Sequence, residues 1–489
     1  MSALASLLVP ELRWDPAHAF AHLQGAIDDA IEVGVGGFLI TGGTREDVAA
    51  LTRELHRRTR HPLLIAADAE QGLGAAFDRA TGVPPAGALG ALRDAEAVRR
   101  AARLTAREAR AIGVNWLLAP VCDIDHALNP FLGSRAFADD SQRVAEWAVE
   151  WIDTCQAEGV LACAKHYPGI GRATADPHLT IAHVDEPAGV MWAEDLLPFR
   201  AAVDTGVASL MASHVVFPRL DPNGAPASRS APMLIELLRD ELRFEGLVVS
   251  DGLSMASALF GTDEGNAALE SLRAGCDLLL APSDIFGVLE LLDFARDDGR
   301  LDIDAVEASR GRRAFWANWG RPEGGREPTL DDVLWARQVA DTVVHSVRGV
   351  MPNVGPVVDV IQVDNVAEGA LGRETWRAPS GTHFMDALRA VGLQPRAVER
   401  PTGEGGGSVV IAVFGEAGFF AGQGRAGYSQ STRRRVAQAL ADARQAQRSS
   451  VVLLFGHPRL AAEVPEAPNV VCCWSGSRAM QEAAARRLA

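Results

Sequence analysis

The sequence predicts an α/β protein: a (β/α)8 TIM-type barrel over residues 1–322, followed by a smaller α/β domain over residues 323–489. Three observations lead there. Short apolar runs alternate with amphipathic stretches through the first two-thirds of the chain, the pattern of βα units around a parallel sheet. Polar residues stand directly after several of those runs: Asp68, the pair Lys165 and His166, His214, and Asp251. In a barrel the C-terminal strand ends converge on one mouth, whereas an open doubly wound sheet gathers only a few of them at its switch point. After Trp319 the segment GRPEGGREPT breaks the pattern with Gly, Pro and charge, as a linker does. At 489 residues the chain is also too long for one ordinary core.

Seven strands are readable in the first domain, at residues 38–41, 63–67, 116–119, 161–164, 210–213, 247–250 and 277–280. The eighth either lies near the N terminus or is absent. Residues 94–112, 143–159, 232–242 and 264–274 carry helical periodicity, with Gly closing several of these stretches. Beyond the linker, 330–348 and 430–448 read as helices and 357–363, 408–414, 451–455 and 470–473 as strands. The loops 401–407 and 415–428 are rich in Gly.

Composition narrows the function. A formal net charge of -16 argues against nucleic acid or an anionic membrane as the main partner. The N terminus has no basic n-region, and Pro10 and Glu11 interrupt its apolar stretch, so no secretory signal is expected. No window is long and apolar enough to cross a membrane as a helix. Cys122, Cys155, Cys163, Cys276, Cys472 and Cys473 sit mostly in apolar runs without CxxC spacing, as reduced, buried residues of a cytoplasmic protein do. No GxGxxG follows a strand with an acidic partner beyond it, so no nucleotide cofactor is indicated.

The chemistry concentrates in residues 161–185, LACAKHYPGIGRATADPHLTIAHVD. An apolar run ends in Lys165 and His166, and a Gly-containing loop then carries Asp176 and His178. A buried strand has no use for Lys at its end unless the side chain points into a cleft. The competing reading is a solvated loop with incidental histidines.

Four segments together resemble glycoside hydrolase family 3, in its bacterial β-N-acetylglucosaminidase branch. KHYPGIGRATADPHLTI is similar to the family's K-H-F-P-G-H-G…D-S-H loop, and LVVSDGLSM to its nucleophile segment. PVCDIDHALNPFLGSRAF resembles P-x-x-D-x-x…G-x-R-x-F, and SLMASHVVFPRLDP resembles M-x-x-H-V. AADAEQG is a looser match to D-x-E-G-G. Their order and spacing agree over residues 36–280, and the α/β sandwich often found in the family accounts for the C-terminal part.

The resemblance implies a retaining, exo-acting β-N-acetylhexosaminidase without metal or organic cofactor, acting on a GlcNAc-terminated carbohydrate as a monomer or homodimer. Asp251 would be the nucleophile, and His178, held by Asp176, the general acid and base. Asp68, Arg135, Lys165 and His166 would bind sugar hydroxyls. Retaining hydrolysis needs a nucleophilic carboxylate on one face of the anomeric carbon and a proton donor near the leaving oxygen. An imidazole can serve as that donor, because it titrates near neutrality and an adjacent carboxylate stabilises its charged form.

The residues alone leave alternatives open. Asp251 before Gly252 also fits a strand-ending turn, the Asp176 and His178 pair a local loop device, and Arg135 an ion pair with Asp139 or Asp140. His214 reads as a packing or hydrogen-bonding residue at the barrel mouth. A metal-dependent hydrolase using His166, Asp176, His178, His214 and Asp251, a β-glycoside phosphorylase, a β-glucosidase and a diverged sugar-binding protein are the competing functions. Three positions depart from the branch: Ile170 replaces a polar residue, Pro177 a small one, and Gln71 the first Gly of D-x-E-G-G.

Overall fold

The computed structural model describes residues 3–259, 261–320, 326–365, 381–401, 407–415, 418–419 and 426–489. Linker residues 321–325 and most of the Gly-rich loop centres, 402–406 and 416–425 apart from 418–419, lie outside them. By internal contacts the chain forms two compact units. The first comprises Met1–Thr81, Ala95–Ile124 and Phe137–Thr329; the second comprises Gly82–Asp94, Asp125–Ala136 and Leu330–Ala489.

The first unit is α/β, and its strands pair in parallel. The eighth strand lies at the N terminus, where Pro10, lacking an N–H, splits it into β1 (Leu8–Val9) and β2 (Glu11–Arg13). The others are β3 (Gly37–Thr41), β4 (Leu64–Ala67), β5 (Trp116–Leu117), β6 (Cys163–Tyr167), β7 (Ser209–Ala212), β8 (Leu247–Ser250) and β9 (Leu279–Leu280). Ladders join β2 to β3, β3 to β4 and β4 to β5, and then β6 to β7 and β7 to β8. Isolated parallel bridges, Trp116↔Leu161 and Val121↔Lys165, connect the first group to the second. The bridge Val249↔Leu278 leads on to β9, and β9 pairs with β1 at Leu8↔Leu279.

Alternate strand residues, among them Val9, Leu64, Ala66, Trp116, Cys163, Met211, Leu247, Val249 and Leu280, form one buried cluster. That is the face-by-face alternation a strand imposes. Trp116 is fully buried, and its indole Nε1–H finds Ser209 Oγ at 2.8 Å. The helices follow the expected stretches, and two of them carry Asp side-chain caps at their N termini. Asp140 caps Ser141–Ala157, and Asp263 caps Glu264–Ala274, which Gly275 closes at φ 112°. The segment Pro232–Glu241 is wound more loosely than expected, ending on Leu242 N–H to Leu237 O, a bond across five residues.

The second unit is a three-layer α/β structure. Its six-stranded sheet contains β10 (His345–Arg348), β11 (Val357–Asp364), β12 (Gln394–Ala397), β13 (Val409–Phe414), β16 (Ser450–Phe455) and β17 (Val470–Cys472). Between β13 and β16 lies the small pair β14 (Gly418–Phe419) and β15 (Ala426–Gly427). The large sheet has the order β10-β17-β16-β13-β11-β12, and only β10 runs antiparallel to its neighbour. Val410, Ala412 and Phe414 bury on one face, and Val409, Ile411 and Val413 on the other. This two-sided burial is why its strands read as unbroken apolar runs.

One expectation fails here. The helix expected to run to 348 stops at Val343, and His345–Arg348 pairs as an edge strand. The Arg348 guanidinium donates to the carbonyls of Ala461, Val464 and Ala467, which holds that residue in its extended position.

Candidate active site

The site grows from an irregularity in β6. Lys165 pairs with Met211 and Tyr167 with Ala212, so His166 is an extra residue with no register partner on β7. The Lys165–His166 peptide bond is cis. The Lys165 side chain is 2% exposed, and its Nζ lies 2.6 Å from both Asp68 Oδ1 and Glu70 Oε1. The two carboxylates differ in setting. Glu70 is 14% exposed, whereas Asp68, directly after β4, is 60% exposed and open to an incoming hydroxyl.

His166 meets Asp123, which follows β5 and is completely buried. Asp123 Oδ2 accepts the ring Nδ1–H at 2.7 Å and the His166 backbone N–H at 3.1 Å. Its Oδ1 accepts the Ile170 N–H at 2.8 Å. All three partners are donors, which suits a carboxylate.

Asp251 follows β8, with its N–H bonded to Ala212 O and its Oδ1 accepting from Gly252 N–H at 2.8 Å. Burial alone would push its carboxyl up. The imidazoles of His166, His214 and His178, with the Gly252 N–H, more than offset this and hold it below 3.8. Buried His214, just beyond β7, donates Nε2–H to Gly252 O at 3.1 Å, so its Nδ1 accepts from Ser228 Oγ at 2.7 Å. Burial lowers its own pKa below 6.5, against the pull of Asp251, and favours the neutral ring.

His178 is half exposed, in the loop after β6. Its Nδ1 and its backbone N–H both meet Asp176 Oδ1, at 2.7 and 3.0 Å. The local loop device expected as an alternative is therefore present. Buried Pro177 sits between the two.

His166, His178 and His214 thus act on Asp251, while Lys165, next to His166 in the chain, pairs with Asp68. Arg135 closes the turn Gly133–Arg135 in the second unit. Sequence reasoning passed over Glu70 and Asp123, although AADAEQG and PVCDID were both in view. Ile170 is buried, and its backbone N–H donates to Asp123. Among the described residues no group of three or more His, Cys, Asp or Glu is arranged to hold a metal ion.

The profile described as "Glycosyl hydrolase family 3 N terminal domain" matches residues 24–313. The chain is 33% identical over 389 residues to the "Beta-N-acetylglucosaminidase/beta-glucosidase" of Cellulomonas fimi, a match covering 73% of this chain and 68% of that one. It is 36% identical over 321 residues to a "Beta-hexosaminidase" of Thiobacillus denitrificans, covering 64% of this chain and 86% of the relative. Its fold resembles that of a glycoside hydrolase family 3 β-N-acetylglucosaminidase from Paenibacillus sp. str. FPU-7, with a TM-score of 0.82 over 99% of this chain and 95% of the other. The identity of that pair is 24%, so the likeness carries the fold alone.

Proposed function

The chain belongs to glycosyl hydrolase family 3, and we propose that it is an exo-acting, retaining β-N-acetylhexosaminidase releasing terminal β-linked GlcNAc through a glycosyl–Asp251 intermediate. The observation that carries this reading is a strand-end carboxylate that accepts the Gly252 N–H, with the imidazoles of His166 and His178 acting on it. One of them, His178, is oriented through Nδ1 by a carboxylate of its own.

The steps follow from these positions. Asp251 attacks the anomeric carbon and forms an ester as the glycosidic bond breaks. His178 in its imidazolium form gives the Nε2 proton to the leaving oxygen, with Asp176 stabilising the cation. Water then attacks the anomeric carbon from the vacated side as its bond to Asp251 breaks, and His178 takes the water's proton, restoring both residues. Asp68, Lys165 and His166 bind the hydroxyls of the terminal sugar. Arg135 is assigned to the same sugar on its G-S-R-A-F segment alone.

On this reading the strands of the first unit close into a (β/α)8 barrel. The run of pairings from β2 to β9 and back to β1 supports that closure. The enzyme would act in the cytoplasm. Its six cysteines are buried without a disulfide, and among the described residues no helix is long and apolar enough to cross a membrane.

The test is hydrolysis of p-nitrophenyl β-N-acetylglucosaminide beside the β-glucoside, with wild type, Asp251→Asn and His178→Ala, with and without phosphate. Turnover of the acetamido sugar, abolished in Asp251→Asn, is expected. The Cellulomonas fimi relative's name includes β-glucosidase, so comparable turnover of both sugars would broaden the specificity. A phosphorylated sugar product would replace the hydrolase by a phosphorylase, and sugar binding without turnover would overturn the enzyme reading.

A further inference from the structure

Two Asp–His pairs act on one carboxylate in this site, and they are built alike. Asp123–His166 and Asp176–His178 each join a carboxylate to Nδ1 at 2.7 Å, and both imidazoles bear on Asp251. Their surroundings are opposite. The His178 side chain is 52% exposed, whereas that of His166 is 7% exposed and Asp123 is completely buried. A ring open to solvent can exchange a proton in each half of a turnover. A ring enclosed against a buried carboxylate is suited to keeping one orientation throughout.

We infer that Asp123 is a positioning residue: it fixes the His166 ring through Nδ1, so that Nε2 is presented to the sugar beside Asp251, and leaves proton transfer to the exposed pair. This rests on the glycosidase reading above. Two features carry it. Asp123 binds both the His166 ring and its backbone N–H, and holds the turn that follows through Ile170 N–H, so ring and main chain are gripped by one group. Asp123 also approaches from a different strand end, after β5, so the ring direction does not depend on β6 alone. An Asn at this position would offer Nδ2–H or Oδ1 where the site now has only acceptors. Turned to keep the Ile170 bond, it would donate to the imidazole and move the ring proton to Nε2.

The charged and titratable groups around His166 are Asp123, Asp251 and its neighbour Lys165, itself bound to Asp68 and Glu70; His178 and His214 also act on Asp251. Turning the ring weakens the pull that His166 exerts on Asp251. The acid limb of kcat/KM should therefore move to higher pH.

The experiment uses the full chain as wild type, Asp123→Asn, His166→Gln and the double variant. It measures kcat/KM on p-nitrophenyl β-N-acetylglucosaminide across about pH 4 to 9, with imidazole 1H–15N spectra and thermal melts. Asp123→Asn should lower kcat/KM roughly ten- to a hundredfold, as expected for a lost hydrogen bond to a charged partner, and shift the acid limb upward. In the His166→Gln background the same change should cost less than about twofold, because the two residues act as a unit. An equal loss in both backgrounds, or an unmoved acid limb, would overturn the inference and leave Asp123 a backbone brace. The wild-type spectrum decides the geometry without turnover. A bound Nδ1 proton, absent in His166→Gln, must be present, and its absence overturns the proposal. If that proton is present and no glycoside is cleaved, the positioning geometry stands and the glycosidase reading fails.

Discussion

Lys165 gives the sharpest quantitative test. Replacing it with Met removes a cation that is almost wholly enclosed between Asp68 and Glu70. The two arms weigh differently. Asp68 is largely solvated, so its pairing contributes at most about 1 kcal/mol. Glu70 is mostly buried, and removing the cation from such a carboxylate costs about 3 kcal/mol. Lys165→Met should therefore destabilise the first unit by about 3–4 kcal/mol. Neutralising Glu70 as well, in Lys165→Met with Glu70→Gln, should recover roughly 2 kcal/mol of that loss. On the proposed role, Asp68→Asn should lower kcat/KM while changing stability by no more than about 1 kcal/mol, because that carboxylate is largely solvated. Urea unfolding with hydrogen exchange of the β6 amides measures this, since the two units need not unfold together. A double variant no more stable than Lys165→Met, or an Asp68→Asn as unstable as Lys165→Met, would refute the division of labour between the two carboxylates.

Other expectations concern pH and additives. Asp251 has a folded pKa below 3.8, so its contribution to stability is present above that value and lost as pH falls through the folded value. Urea midpoints of wild type and Asp251→Asn should therefore draw together under acid conditions. His214 is lowered from 6.5, so its stabilising contribution is complete above that pH and fades as pH drops towards the folded value. His214→Phe should flatten that slope, cost about 1–3 kcal/mol by stranding Ser228 Oγ and Gly252 O, and reduce kcat by loosening the turn at Asp251. Activity should be unchanged by a chelator, and product analysis in phosphate buffer should find the free sugar.

Much of the fold was legible because its strands are short apolar runs, and residues 247–250 coincide with β8. The N-terminal strand was hidden because Pro10 cuts it into pieces too short to show a period. Gln394–Ala397, with Pro395 and exposed side chains, carries no strand pattern, since edge strands need not be apolar. His345–Arg348 is fixed by carbonyls more than a hundred residues away, which local periodicity does not register. In the site, Asp68, Lys165, His166 and Asp251 stood out because polar residues at the ends of apolar runs need a reason. Asp123 did not, because its partner lies 43 residues further on and only the folded chain brings His166 to it. Glu70 was masked by its neighbour Asp68, which absorbed the available explanation.

The extra residue in β6 bears on any effort to move this site to another scaffold. A regular strand delivers successive side chains to opposite sides, so a plain Lys-His pair would send one of them away from the ligand. Here the slip between Lys165 and Tyr167 lets two neighbours serve the same end of the strand, one meeting Asp68 and Glu70 and the other Asp123. A graft that copied the side chains onto an unbroken ladder would keep the composition of the site and lose its geometry. The portable unit is the slipped strand together with the segments bearing Asp68, Glu70 and Asp123, not the residues alone.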